Sequence, residues 1–398
     1  MTTITGNSGT TQASGTPDRL RVLIVGGGIC GLTCGAALRE YADVTILESV
    51  AALGELGAAV HLAPNAHRII KGLGGDLLQY GAMPCKAFQE WTAADNRLVI
   101  DSKFDPLEQA GCEWNPYSAT VTTKDGRIYT ADVVIGADGI KSAVRSAVLG
   151  DRFFSAPSGH SAYRGLISAD KITAHDQLSE MGFLDNRITM VNGKDRRIIL
   201  YPTRNRTLLN FVCVLPDREL HEISEEKWSA KGDPRALVKG FSSFAPIWQD
   251  LLQQIDVCGL WQLRDQDPVQ NWVRGRTIIL GDAAHSMLPH QGQGASQAIE
   301  DGEAIGACFS GITAAHVPEA LERVFNIRYS RATYTQEISR LSGMGAMRQK
   351  YISKLGSTDA ADGPLNPQQF RDFSWNYFGA EDWEKNRSDW VGVATLAA

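Results

Sequence analysis

An α/β fold, a parallel sheet interrupted by an inserted antiparallel one, is what this sequence predicts, and three observations carry that expectation. Strand-like runs at Leu20–Val25, Ala131–Ile135 and Thr277–Leu280 each end in a glycine-rich turn and lead into a helix. That is the pattern of buried parallel strands with helical crossovers. Between the second and third run, from about Ser155 to Trp261, the pattern changes to short alternating segments such as "RITMVNG" and "TLLNFVCVL", which read as antiparallel strands. The chain of 398 residues is long enough for two domains, or for one large domain with an insertion.

In chain order, the opening "MTTITGNSGTTQASGTPD" is rich in Thr, Ser and Gly and has no apolar core, so residues 1–19 are expected to form a disordered tail. The first strand then meets Gly26, Gly28 and Gly31 in a G-x-G-x-x-G arrangement. Gly26 permits a tight turn, Gly28 lets backbone approach a pyrophosphate, and Gly31 allows close packing of helix on strand. The helix N-terminus offers free amides and a positive dipole end to the phosphates. A second strand, "DVTILE", ends at Glu48, 20 residues after Gly28, where a carboxylate accepts hydrogen bonds from ribose hydroxyls. Glycine-rich turns also serve packing alone; the strand before, the helix after and the carboxylate distinguish this one as a Rossmann-like dinucleotide cradle. An acid at this point argues against a ribose phosphate, which favours FAD or NAD over NADP and leaves those two open.

Two later segments repeat the strand–turn–helix theme. "YTADVVIGADGIKSAVR" carries Asp138 and Gly139 after its strand and Arg145 on its helix. "GRTIILGDAAHSMLPHQGQGASQAIEDGEAIG" carries Gly281-Asp282, a glycine-rich loop and a helix from about Gly294. With the three motifs in this order, the chain resembles the flavoprotein aromatic hydroxylases, the single-component FAD monooxygenases typified by salicylate and para-hydroxybenzoate hydroxylases. The resemblance implies a glutathione-reductase-type FAD-binding domain with the antiparallel sheet as a substrate domain. It implies non-covalent FAD, with Asp282 on its ribityl-phosphate side and Pro289, Gly292, Gly294 and Ala295 along its pyrimidine edge. Asp138, with Arg145 near it, is implied in cofactor and nicotinamide handling, and Ala59 joins the cofactor-binding set. The implied reaction uses NADH or NADPH as transient reductant and dioxygen as oxidant, and hydroxylates a small phenolic or salicylate-like ring through a flavin hydroperoxide. No second G-x-G-x-x-G follows a strand, which disfavours reductases with two dinucleotide domains. The rival functions are a flavin-dependent reductase of a non-aromatic substrate and an impaired FAD-binding protein.

These motifs divide the chain. Residues 20–154 form the first part of the FAD domain, with 85–102 joining the substrate sheet. Residues 155–262 form that sheet, 263–345 complete the FAD domain and add a long helix, and 346–398 form a helical, aromatic end. In the sheet, Arg164 of "YRG" and Tyr201 of "ILYP" are the catalytic candidates, because the resemblance implies polar residues that hold and deprotonate a phenol. Periodicity leaves a surface arginine and a half-buried core tyrosine equally open. His285 is expected to cap or pack rather than transfer protons, and His290 is the better candidate of the two for a neighbour of the site. The stretch "ALERVFNIRYSRATYTQEISRLSGM" reads as an amphipathic surface helix, and the aromatics of "RDFSWNYFGAEDWEKNRSDW" as packing anchors.

One stretch departs from the family. Members follow the strand near "LVID" with a His-Arg-x-x-Leu helix, whose arginine reaches the FAD pyrophosphate, and then with a parallel strand. Here about 18 residues separate Asp101 from Ala119, too few for a helix and a strand at about 1.5 and 3.3 Å per residue, so about 40 to 50 residues are absent by comparison. The shortening predicts weaker flavin retention, since a charge-assisted phosphate contact is lost.

Composition narrows the remainder. The net charge of −6 and pI near 5.8 provide no basic field for nucleic acid or anionic lipid. The seven cysteines form no CxxC pair, and the eight histidines show no metal-ligand spacing, so neither a disulfide framework nor a metal is expected. With no signal-like or 18-residue apolar run, an intracellular, cytoplasmic setting is the expectation.

Overall fold

The computed structural model describes residues 2–5, 19–49, 60–80, 82–83, 85, 87–103, 119–123, 127–149, 155–220, 231–343 and 367–386. β1 (Thr2–Thr5) lies antiparallel on the outer side of β3, so these four residues of the expected tail form an edge strand, while 6–18 lie outside the described residues. β2 (Leu20–Val25) and β3 (Ala42–Glu48) run parallel, joined by α1 (Ile29–Leu38). β2 is buried at every position but Arg21, since it sits in the sheet interior with helices over it. α2 (Pro64–Gly72) begins on a proline, whose missing N–H is no loss in a first helical turn.

β4 (Ala87–Thr92) and β5 (Leu98–Lys103) leave this sheet for the second one. β6 (Ala119–Thr122) and β7 (Ile128–Ala131) form a separate two-stranded ribbon, and β8 (Val133–Gly136) returns beside β2. The strand expected over Ala131–Ile135 is thus split at Asp132. Its carboxylate leaves the ladder to accept the backbone N–H and the guanidinium of Arg21. α3 (Ala143–Leu149) follows. The segment where the family's extra helix and strand would lie, 104–118, is outside the described residues.

The antiparallel sheet is built by β9 (Ala156–Ser168), β10 (Arg187–Asn192), β11 (Arg197–Thr203), β12 (Leu208–Pro216), β13 (Lys231–Gly232) and β14 (Cys258–Asp265). Its order is β13-β14-β9-β12-β11-β10-β4-β5, and β4 joins β10 in parallel. Side chains alternate between its two faces. One face, with Leu200, Phe211 and Leu215, packs on Leu237, Phe241, Trp248 and Leu251 of α6 (Pro234–Gly240) and α7 (Pro246–Gln253). α4 (Ala169–Thr173) and α5 (Asp176–Glu180) close the same side. Each large apolar side chain buried there contributes about 1.5–3 kcal/mol. The other face, with Ala162, Val214 and Trp261, packs on Leu288, and so turns toward the parallel-sheet domain.

That domain is completed by β15 (Val273–Arg274), β16 (Thr277–Ile279), α8 (Asp282–His285), α9 (Gly294–Phe309) and α10 (Val317–Gly343), in sheet order β1-β3-β2-β8-β16-β15. α10 is not the surface helix that its charges suggest: from Arg328 to Leu341 nearly every residue is buried. Its arginines point inward to carboxylates on α9, with Arg328 on Glu300 and Asp301 and Arg331 on Glu300. α11 (Pro367–Trp375) and α12 (Ala380–Asn386) close the end. Phe373, Tyr377 and Trp383 stand 4.7, 4.7 and 5.5 Å from the Arg331 guanidinium, so the terminal aromatics enclose one of the protein's own cations.

Candidate active site and cofactor cradle

The cradle lies at the carboxyl ends of β2, β3 and β16. Gly26 has φ +110°, and a Cβ there would collide with the Ala137 carbonyl oxygen of the β8 turn. A Cβ at Gly31 would collide with the Gly26 carbonyl oxygen, while Gly28 is exposed with nothing within 4 Å of its Cβ position. The three glycines therefore provide a tight turn, an open floor and a close helix contact. Glu48 ends β3 beside them, accepting the Gly27 N–H on Oε2 at 2.7 Å and the Ser49 hydroxyl on Oε1 at 3.1 Å. An open backbone floor, a helix N-terminus and an adjacent carboxylate fit the adenosine diphosphate portion of FAD.

Gly281, at φ +53°, presses so closely on α1 that a Cβ there would stand 3.1 Å from that of Cys30. Asp282 follows, with its side chain exposed. Burial pushes its carboxyl up, and His285 and Arg145 pull it back. Pro289 and Gly292 are exposed, and Gly294 and Ala295 half-buried at the start of α9. Gly292, at φ +63°, has the His61 Nδ1 3.6 Å from its Cβ position. Burial lowers the His61 imidazole, so a neutral ring backs this loop. His61 had no motif to single it out, and nothing in its local sequence signals the contact. Ala59 lies outside the described residues.

Asp138 serves α3. Its Oδ1 accepts the Ser142 hydroxyl at 2.5 Å, and its Oδ2 accepts the amides of Ala143 and Val144 at 2.7 and 3.2 Å. Burial still pushes the carboxyl up against these donors. The Asp138 Cα borders the Gly26 turn, 3.1 Å from its Cβ position, so the cap also braces the cradle. Arg145 is buried and donates to Gln266 Oε1 and the Ala283 and Ile140 carbonyls at 3.0, 3.1 and 2.6 Å, tying α3 to α8.

Arg164 and Tyr201 come together on the sheet face that meets Leu288. Register places Arg164 opposite Val212, Val212 opposite Ile199, and Tyr201 opposite Asn210; residues paired in register, and those two along, share a face. The Arg164 guanidinium lies 4.6 Å from the Trp261 ring centroid, and its Nε is buried with no hydrogen-bond partner among the described residues. Burial lowers its pKa, and the nearby Tyr201 opposes this. The Tyr201 phenol is pushed up to about 12 by burial, with Arg164 pulling it down.

His285 is buried, with Nε2 2.6 Å from Asp301 Oδ2, and so anchors rather than faces the cleft. The His290 imidazole is pushed down to about 3 by burial, with Arg197 and His160 adding to the effect. It packs against Gly343 as a neutral ring between the loop and the sheet. Among the described residues no group of three or more His, Cys, Asp or Glu could hold a metal, and no helix is long and apolar enough to cross a membrane.

A family profile described as "FAD binding domain" matches residues 107–313. A salicylate hydroxylase of Pseudomonas putida is 30% identical over 377 residues, covering 81% of this chain and 85% of the relative. The 3-amino-4-hydroxybenzoate 2-monooxygenase PtnB3 of Streptomyces platensis is 30% identical over 362 residues, covering 82% and 88%. A solved salicylate hydroxylase substrate complex superposes with a TM-score of 0.71 at 25% identity, covering 96% of this chain and 99% of that one.

Proposed function

Since the chain belongs to the FAD binding domain family and is an FAD-dependent monooxygenase of the aromatic-hydroxylase type, we propose that its substrate is a small phenolic or salicylate-like ring. The ring binds between the Arg164–Tyr201 face and the Gly281–Ala295 segment. Bound FAD supplies the hydride and oxygen chemistry, with NADH or NADPH and dioxygen as co-substrates. Gly26, Gly28, Gly31 and Glu48 hold its adenosine diphosphate part, and Asp282 with Pro289, Gly292, Gly294 and Ala295 the ribityl and pyrimidine side.

The chain's own residues bind, orient and shield. Arg164 favours the substrate as an anion, and a phenolate ring is more electron-rich than the phenol. Tyr201, with its phenol near 12, keeps its proton at neutral pH and donates it in a hydrogen bond to the substrate oxygen. Trp261, Val212 and Ile199 form the apolar wall that excludes water, which strengthens each polar contact inside. The observation that carries this reading is the meeting, on one sheet face, of a half-buried arginine that has no carboxylate partner among the described residues and a protonated tyrosine. Dioxygen uptake is measured with NADH and NADPH against salicylate, para-hydroxybenzoate and phenol. Ring-dependent uptake with a hydroxylated product is expected. Oxidation of the nicotinamide coupled to reduction of a non-aromatic substrate, without dioxygen uptake, would replace the reading with a reductase.

A further inference from the structure

Beneath the Gly281–Asp282 turn lies a second carboxylate. Asp301, on the second turn of α9, is fully buried, as is Arg328, and His285 is 2% exposed. Its Oδ2 accepts the Gly281 amide at 2.9 Å and meets His285 Nε2 at 2.6 Å, and its Oδ1 accepts Arg328 Nε at 2.9 Å. Gly281 and His285 are the two ends of the one-turn helix that displays Asp282. One side chain thus holds both ends of that turn. Asp282 itself accepts no hydrogen bond among the described residues and is exposed.

We propose that Asp301 is a positioning residue for FAD: by clamping Gly281 and His285 to α9, it sets where the Asp282 carboxylate meets the cofactor. The inference rests on the reading of Asp282 as a flavin contact. α9 also begins at Gly294, so the clamp fixes the turn to the same rigid body that carries the other cofactor wall. Arg328, shared with Glu300 at 2.5 Å, supplies the charge that lets Asp301 stay ionised in a buried place. An asparagine at 301 offers one acceptor oxygen where three donors converge, and turns an NH2 group toward one of them.

The dissociation constant for FAD is measured by quenching of flavin fluorescence on the full-length apoprotein, beside its melting temperature. Asp301→Asn is expected to weaken FAD by about ten-fold or more, the scale of a lost hydrogen bond to a charged group. Glu303→Gln, which alters a carboxylate on the same helix bonded to Tyr377 and Ala380, is expected to lower the melting temperature with FAD affinity unchanged. Should Asp301→Asn fail to fold, His285→Leu, which leaves the Asp301–Arg328 pair intact, gives the same readout. His285→Gln, which keeps a donor, restores affinity. Equal losses of affinity in the 301 and 303 variants, or an unchanged constant in Asp301→Asn, would overturn the proposal. Asp282→Ala separates the premise. An unchanged FAD constant there removes the ground for it, whereas a loss there without one in Asp301→Asn sinks the clamp alone. Neither readout depends on the aromatic substrate.

Discussion

Replacing Arg164 by methionine tests the substrate side of the cleft directly. In the free protein the guanidinium gains a cation–π contact with Trp261 at 4.6 Å, worth about 0.5–2 kcal/mol. Against this stands the partial burial of a charge with no carboxylate partner among the described residues, which lowers its pKa. Methionine removes the contact and the desolvation cost together, so the folded state should change stability by about 1 kcal/mol or less. The loss falls on the complex instead. A hydrogen bond to a charged group contributes about 1.5–3 kcal/mol, so KM for an anionic ring should rise about ten- to a hundred-fold. The assay is steady-state dioxygen uptake with salicylate and with an uncharged ring of similar size, each at saturating NADH or NADPH. The ratio of the two KM values is the quantity of interest. If the variant weakens both rings equally, the arginine acts through packing, and the reasoning about its missing counter-charge is wrong.

Other outcomes follow from the same geometry. Because burial raises the Tyr201 phenol to about 12, the folded state holds this proton more tightly than the unfolded chain, whose tyrosine titrates near 10. Its contribution is complete below pH 10 and is lost as pH rises through about 12, by roughly 2–3 kcal/mol. Tyr201→Phe should therefore lose less stability than the parent protein between pH 9 and 12 in urea titrations, and parallel losses would refute this. Glu300→Gln leaves Arg328 and Arg331, both fully buried, short of an anion and should cost about 3–5 kcal/mol. An unchanged melting temperature would show the pair to be dispensable. The short connection between Lys103 and Ala119 should leave FAD less tightly held than in a full-length relative, and stoichiometric flavin surviving extensive dialysis would contradict that.

What could be read in the sequence was local. The Gly26–Gly31 turn, Glu48 at a strand end, and Gly281-Asp282 each state a backbone requirement within a few residues of themselves, and the fold meets each where it was expected. Strand content in the inserted sheet was legible for the same reason. The facing of Arg164 and Tyr201 was not, because a one-residue change of register moves a side chain to the opposite face. Only the pairing of β9, β12 and β11 decides it. The charges of α10 misled for a related reason. A helix that is polar on several faces looks solvated until Glu300 and Asp301, on a different helix, are seen to neutralise it from within. Asp301 under the cofactor turn belongs to the same class. Its three partners lie on two segments, the 281–285 turn and α10, and only packing brings the donors to one carboxylate. By itself the sequence determined the glycine turns and strand ends on which the proposed cradle rests; the tertiary structure decided which side chains share a face with one another, because that choice is made by register and packing between distant elements.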